Sequence, residues 1–248
     1  MGTFISLTAL AANWRLYSSF DNNPLRIIDS PEHTYFLTHQ QYYQKNYGGY
    51  SFPTLALFEW DKADPEAGIT PLVARVPLSE ADIRLADYSP AGDYLFVAYN
   101  SGTIDLVTPE GEVTSIDILK RSHVPGGSMI NSVTFDCSNG DAWVATDGGY
   151  LHIDAATKRV SDRATFSKPV KWIAPVGETL VAIIDDRIYH CESLSPRSSD
   201  EFSMMQDPVS PLTLMPLSDK EFAYLSGAKG GNVSVIAAKK NGSGWSFR

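Results

Sequence analysis

Between Gly92 and Asp154 the chain spells one unit twice. The first copy is Gly92-Asp-Tyr-Leu-Phe-Val-Ala-Tyr99, then Asn100-Ser-Gly102, then Thr103-Ile-Asp-Leu-Val107. The second is Gly140-Asp-Ala-Trp-Val-Ala-Thr146, then Asp147-Gly-Gly149, then Tyr150-Leu-His-Ile-Asp154. Each copy is an apolar strand, a turn, and a second strand alternating apolar with polar residues. Asn-Ser-Gly and Asp-Gly-Gly tolerate the positive φ that tight hairpins need. A repeat of hairpins restricts the chain to an array of small antiparallel sheets.

The same unit extends in both directions. Leu25–Asp29 and Thr34–Thr38 read as strands around a turn at Ser30-Pro-Glu-His33, followed by Thr54–Trp60, a turn over Asp61–Gly68, and Ile69–Val76. The Tyr-rich stretch Gln40–Tyr50 is expected to be a long hairpin loop pinned to the surface, although its aromatics could also stack on a ligand. Ile83–Tyr88 opens the unit that Val113–Ile118 closes, and Ile130–Phe135 opens the one that Arg159–Asp162 closes. Val170–Ala174, Thr179–Ile184 and Ile188–Cys191 form a fourth, with Asp185-Asp186-Arg187 as its turn. Leu212–Met215, Glu221–Leu225 and Asn232–Ala237 form a fifth, turning at Gly227–Gly231. The residues that enter each second strand, Gly92, Gly140, Gly177 and Asp219, lie 48, 37 and 42 apart. These steps fit a four-stranded propeller blade of roughly 40–50 residues. Sustained helical periodicity is missing, and Pro or Gly breaks every candidate window.

The sequence therefore predicts an all-β fold, a β-propeller of four-stranded antiparallel blades with about five blades visible. The fifth is expected to stop near Trp245-Ser-Phe-Arg248, where its outer strand belongs, as in an incomplete or fragmentary larger propeller. The alternative is a five-bladed ring closed by the N-terminal strand.

Composition narrows the partners. The 248 residues carry 20 basic and 29 acidic side chains, a net charge of −9, without the Lys/Arg cluster that phosphate neutralisation requires. Nucleic acid is disfavoured, and so is long-range attraction to anionic lipid. No apolar run reaches the roughly 18–20 residues of a membrane-spanning helix. Thr3–Ala12 ends in Ala9-Leu-Ala11 just before Asn13-Trp14, which reads as a truncated signal peptide over residues 1–12 and implies export. A first strand or an unstructured start is the competing reading. Residues 13–248 then form the propeller domain. Cys137 and Cys191 are expected to be two buried free thiols in strand-like segments, too few for a disulfide scaffold.

Candidate chemistry is sparse. His152 and Asp154 share a strand face, as a metal site could begin, but a third ligand is missing and exposed positions on an outer strand account for them. His190 and Cys191 sit on opposite faces and cannot act as a base and nucleophile pair. Asp185-Asp186 read as turn residues. Ser128, His123 and Asp117 share a loop without the context of a triad, and Gly126-Gly127 lack the Lys-Ser/Thr of a phosphate loop. Asn232-Val-Ser and Asn241-Gly-Ser match the glycosylation pattern. A propeller glycosidase or lyase would need paired carboxylates converging on the channel, and the strand registers mark none. The residues thus name no catalytic, cofactor, metal or ligand site, and no cofactor.

Four segments in order carry a family resemblance: Leu95–Val107, Ile116-Asp-Ile-Leu-Lys-Arg121, Ile130–Phe135 and Ala142–Asp154. Together they resemble the N-terminal propeller of PorZ-like proteins, accessory components of the type IX secretion system of Bacteroidota, over roughly residues 13–190. The start just before Trp14 fits mature members. The resemblance implies a non-enzymatic module of a cell-surface or outer-membrane complex that secretes cargo and attaches it to anionic lipopolysaccharide. It implies protein partners, with peptidase activity held by a partner, and lipopolysaccharide handled through regions outside this sequence. Gly102 and His152–Asp154 depart from the family pattern, and the matching motifs are structural, so no functional residue carries over. Two-component-regulator propellers share these repeats. The alternative is therefore the periplasmic sensor propeller of a hybrid two-component regulator that binds glycan fragments.

Overall fold

The computed structural model describes residues 24–44, 50–118, 129–205, 211–227, 233–242 and 244–248. Five four-stranded antiparallel sheets follow one another in sequence order, each a simple meander, as the repeat predicts. Blade 1 contains β1 (Pro24–Asp29), β2 (His33–Gln44), β3 (Tyr50–Asp61) and β4 (Ile69–Val73). Blade 2 contains β5 (Ile83–Ser89), β6 (Tyr94–Tyr99), β7 (Thr103–Val107) and β8 (Val113–Asp117). Blade 3 runs β9 (Ile130–Phe135), β10 (Ala142–Thr146), β11 (Gly149–Asp154) and β12 (Arg159–Thr165). Blade 4 runs β13 (Val170–Val176), β14 (Thr179–Ile184), β15 (Arg187–Cys191) and the two-residue β16 (Ser203–Met204). Blade 5 runs β17 (Pro211–Ser218), β18 (Glu221–Gly227), β19 (Val233–Asn241) and β20 (Gly244–Phe247).

Two expectations change. The fifth blade does not stop short: β20 pairs with β19 from Asn241↔Gly244 to Ala238↔Phe247 and supplies the outer strand. The Tyr-rich stretch is not simply a loop. Gln40–Gln44 and Tyr50–Pro53 continue the β2–β3 ladder out to Gln44↔Tyr50, so local alternation was masked by its polar composition. The signal peptide expected over residues 1–12 lies outside the described residues.

Strand alternation explains the packing. Every residue of β6 is buried. Leu95, Val97 and Tyr99 pack with blade 1 side chains such as Leu37 and Leu57, while Tyr94, Phe96 and Ala98 pack with blade 3 side chains such as Val144 and Leu151. β10 repeats the division, with Ala142 and Val144 toward blade 2 and Trp143 and Ala145 toward blade 4. In β14, Leu180, Ala182 and Ile184 face blade 3, whereas Val181 and Ile183 face blade 5. The core is thus a series of apolar wedges between blades. A middle strand reads as a continuous apolar run because both its faces are covered.

The periodic glycines mark where blades touch. Gly140 has φ +78, and a Cβ there would stand 2.1 Å from the Gly92 nitrogen. Its carbonyl accepts hydrogen bonds from Tyr94 Oη at 2.9 Å and Ser89 Oγ at 3.1 Å. One blade's turn is therefore seated against the next blade's turn, backbone on backbone. Gly177 repeats the arrangement, since its Cβ would lie 2.5 Å from the Asp219 carbonyl oxygen. Gly140→Ala is expected to lose about 2–4 kcal/mol from left-handed strain plus the backbone clash. Chemical denaturation would measure it, and a loss below about 0.5 kcal/mol, the scatter of ordinary surface substitutions, would contradict this contact.

Candidate functional site

One end of the blades gathers the starts of the inner strands and the turns joining second to third strands. Ile83 pairs with Tyr99, Ile130 with Thr146 and Val170 with Ile184, which places these groups on a common rim. In blades 2, 3 and 4 the second residue of the inner strand reaches the hairpin turn of its own blade. Arg84 Nη1 donates to Asn100 Oδ1 at 3.5 Å, Asn131 Nδ2 to Asp147 Oδ1 at 2.9 Å, and Lys171 Nζ to Asp186. The same residues also reach forward: Arg84 Nε donates to the Ile130 carbonyl, and Asn131 Nδ2 to the Val170 carbonyl at 2.9 Å. The rim is a polar clasp running from blade 2 into blade 4. Past it, the β2–β3 ribbon continues six residues beyond Thr38, the partner of Pro24, or roughly 20 Å at strand rise.

Most sequence candidates are engaged in structure. Asp185 and Asp186 form the β14–β15 turn at φ 51° and 60°, as expected of turn residues. Lys168 bonds to Asp185 and holds its carboxyl below the usual range. His152 corrects the expectation of an exposed outer-strand position. It is half-buried on the third strand, stacked on Trp143 at 4.2 Å and 10°. Its Nε2 lies 2.9 Å from Asp141 Oδ2 and its Nδ1 lies 3.0 Å from Ser161 Oγ, so both ring nitrogens are occupied. Asp154 instead closes a turn, accepting from the Thr157 nitrogen and Oγ1 at 2.6 Å each. Among the described residues, no group of three or more His, Cys, Asp or Glu is placed to hold a metal.

His190 and Cys191 part as alternation requires: His190 meets Trp245 of blade 5 with ring centroids 6.3 Å apart, and Cys191 joins the wedge between blades 3 and 4. Both cysteines are free, but Cys137 is exposed in the turn after β9 rather than buried in a strand. Asp117 ends β8, while His123, Gly126, Gly127, Ser128 and Asn232 lie outside the described residues. Asn241 ends β19 and its side chain donates to Ser246 Oγ at 2.7 Å.

Sequence reasoning missed Asp105. It is fully buried and accepts from Tyr99 Oη at 2.7 Å, Ser115 Oγ at 2.6 Å and the Ser79 nitrogen at 3.0 Å. The carboxylate anchors the connection between blades 1 and 2. An Asp inside the apolar run Thr103–Val107 was the available signal. Between blades 4 and 5, Lys240 bonds both Glu192 and Thr179 Oγ1. That bond lowers the Glu192 pKa from its ordinary 4.5.

The chain matches the model of the PorZ N-terminal β-propeller domain of the type IX secretion system over residues 50–200. It belongs to the PorZ N-terminal β-propeller family. Among solved structures, it is similar to PorZ, described as an essential bacterial surface component of the type IX secretion system of Porphyromonas gingivalis. The TM-score is 0.61 at 15% identity, covering 91% of this chain and 28% of that one. The chain thus spans under a third of that relative's length. It is also similar to the Neurospora crassa Pan2 WD40 domain, with a TM-score of 0.55 at 14% identity, covering 88% and 75% of the two chains. A third match is the extracellular domain assigned to a hybrid two-component system of B. thetaiotaomicron, with a TM-score of 0.52 at 14% identity, covering 84% and 32%. At such identities these likenesses show the propeller fold alone. No curated protein matches the sequence.

Two measurements probe these contacts. Asn131→Ala removes the two hydrogen bonds that Asn131 contributes to the clasp and is expected to cost about 1–3 kcal/mol in chemical denaturation; an unchanged midpoint would refute the clasp. Glu192 has a depressed folded pKa, so its contribution is present above 4.5 and fades as pH falls through the lower folded value. Because the pair is exposed, Glu192→Gln should cost no more than about 1 kcal/mol at neutral pH. The wild-type and variant midpoints should converge as pH drops below 4.5, and a constant gap would contradict the pairing.

Proposed function

We propose that this chain is a non-enzymatic propeller module of a PorZ-like type IX secretion component. In this reading it is exported and stationed at the cell surface or outer membrane, where it supports cargo secretion and attachment to anionic lipopolysaccharide by holding protein partners. The observation that carries the reading is the family match over residues 50–200, which covers blades 2 and 3 and the first three strands of blade 4 and includes the rim clasp. The chemistry is in keeping with it: His152, Asp185, Asp186 and Asp105 are all committed to contacts that hold the blades. With a net charge of −9, long-range attraction of an anionic polysaccharide to this module is disfavoured, in keeping with a reading in which that step belongs to other parts of the assembly.

The second reading, a periplasmic glycan-sensing propeller of a hybrid two-component regulator, draws on the similarity to the B. thetaiotaomicron extracellular domain. One experiment separates them. The gene is deleted in the source organism, surface display of secreted cargo is scored, and the tagged protein is isolated from outer membranes with its partners. Loss of display together with recovery of secretion-system proteins is expected. Normal display, with altered transcription of glycan-utilisation genes, would replace the secretion reading with the sensor.

A further inference from the structure

Asn-Gly occurs twice in the sequence, at Asn139-Gly140 and at Asn241-Gly242. The pair has a chemistry of its own. The glycine nitrogen can attack the asparagine carboxamide carbon, because glycine puts no side chain in the way of the closing ring. Attack needs a glycine N–H open to water and a carboxamide able to turn. Asn139-Gly140 meets neither condition. Gly140 is buried, and its nitrogen donates to the Asp136 carbonyl at 2.8 Å. Asn139 Oδ1 accepts from the Asp141 nitrogen at 2.9 Å, and its Nδ2 donates to Asp141 Oδ2 at 3.0 Å. Turning the carboxamide breaks both bonds, and Gly140 is seated against the Gly92 backbone and cannot shift to meet it. Asn139 is itself exposed, so exposure of the asparagine does not set its reactivity.

Asn241-Gly242 meets both conditions. It stands at the corner of the β19–β20 hairpin, where Asn241 pairs with Gly244, and both residues of the pair are exposed. Gly242 has φ +62, and a Cβ added there would meet nothing within 4 Å, so the glycine stands clear of its surroundings. Among the described residues, no group accepts a hydrogen bond from the Gly242 nitrogen. The Asn241 carboxamide is held at one atom, with Nδ2 donating to Ser246 Oγ at 2.7 Å, while Oδ1 has no partner among the described residues.

We propose that Asn241 is a site of spontaneous deamidation, with water as the reagent, and that the fold leaves it reactive while it blocks the same dipeptide at Asn139. Hydroxide takes the Gly242 amide proton, and the nitrogen attacks Asn241 Cγ. The new N–Cγ bond closes a succinimide, and the Cγ–Nδ2 bond breaks to release ammonia, which takes up a proton from water. Water then opens the ring at either carbonyl. Breaking the N–Cγ bond gives aspartate at 241, and breaking the bond from the nitrogen to the backbone carbonyl carbon gives isoaspartate. The sum is one water consumed and one ammonia released, without oxidation or reduction. The two products differ in consequence. An aspartate can accept from the Ser246 hydroxyl, which keeps that contact with donor and acceptor exchanged. An isoaspartate adds a methylene to the main chain at the hairpin corner and shifts the register that seats Trp245 and Phe247 in the wedge with blade 4. The site rests on the hairpin geometry and does not depend on the secretion reading.

Mass spectrometry tests it. The folded 248-residue chain is held at mildly alkaline pH beside a sample in denaturant, both are digested at acidic pH, and loss of the amide is followed in the peptides that carry Asn139 and Asn241. In denaturant the two sites should react at comparable rates, because the dipeptide is the same. In the folded chain Asn241 should stay within about tenfold of its denatured rate, whereas Asn139 should slow by at least about a hundredfold, since it reacts only from a locally opened state. Equal rates at the two sites in the folded chain overturn the proposal, and so does an Asn241 slowed as strongly as Asn139. Hydrogen exchange tests the consequence at the Ala237 amide, which donates to the Arg248 carbonyl at 3.1 Å across the hairpin. Exchange there should be at least about tenfold faster in the isolated isoaspartyl form than in Asn241→Asp. Equal exchange in the two forms would overturn the loosening of β20.

Discussion

A blade of this protein cannot be dry by itself. Its middle strand is apolar on both faces, as in β6 and β14, so water is excluded only when a neighbouring sheet lies on each side. Nearly everything else follows from that requirement. Connections must be short enough to bring successive meanders face to face, turns must not hold the sheets apart, and polar side chains must gather at the ends of the strands. The stabilising surface is divided among wedges between blades, in place of one central core.

Polar residues follow the same division. Where a carboxylate enters a wedge, as Asp105 does, it is surrounded by two hydroxyls and a backbone nitrogen, because a buried charge without partners would be costly. Where polar groups collect at the rim, they pair within a blade and then forward to the next. Arg84 and Asn131 each satisfy a turn in their own blade and a carbonyl in the following one. These bonds fix the angular step between sheets at the end where the β2–β3 ribbon projects.

Much of this was legible in the residues. The repeat of Gly92–Val107 in Gly140–Asp154 conveyed blade, hairpin and period, because glycine turns and strand alternation are local. The spacing of Gly92 and Gly140 held more than it showed: their backbones meet across two blades, and one sequence does not disclose such contacts. The half-buried place of His152 is not visible locally, because its stacking partner Trp143 sits on the neighbouring strand and its partner Asp141 just before that strand. The ribbon at Gln40–Gln44 was hidden by polar composition, although the backbone pairs there as regularly as elsewhere. The outer strand of blade 5 escaped notice because Gly244–Phe247 is short and its apolar residues Trp245 and Phe247 face a wedge built by distant strands.

The forward direction of the rim bonds gives the array a polarity. Blade 2 grips blade 3 and blade 3 grips blade 4, but among the described residues Lys171 of blade 4 bonds Asp186 in its own turn, and blade 5 is tied by Lys240 reaching back to Glu192 and Thr179. Opening of an array made of neighbour contacts starts where the fewest neighbours hold. The sheets therefore do not open as equals. Blade 5, joined to blade 4 by the apolar wedge and by Lys240, is the sheet expected to open ahead of blades 2 to 4, which the rim bonds tie together.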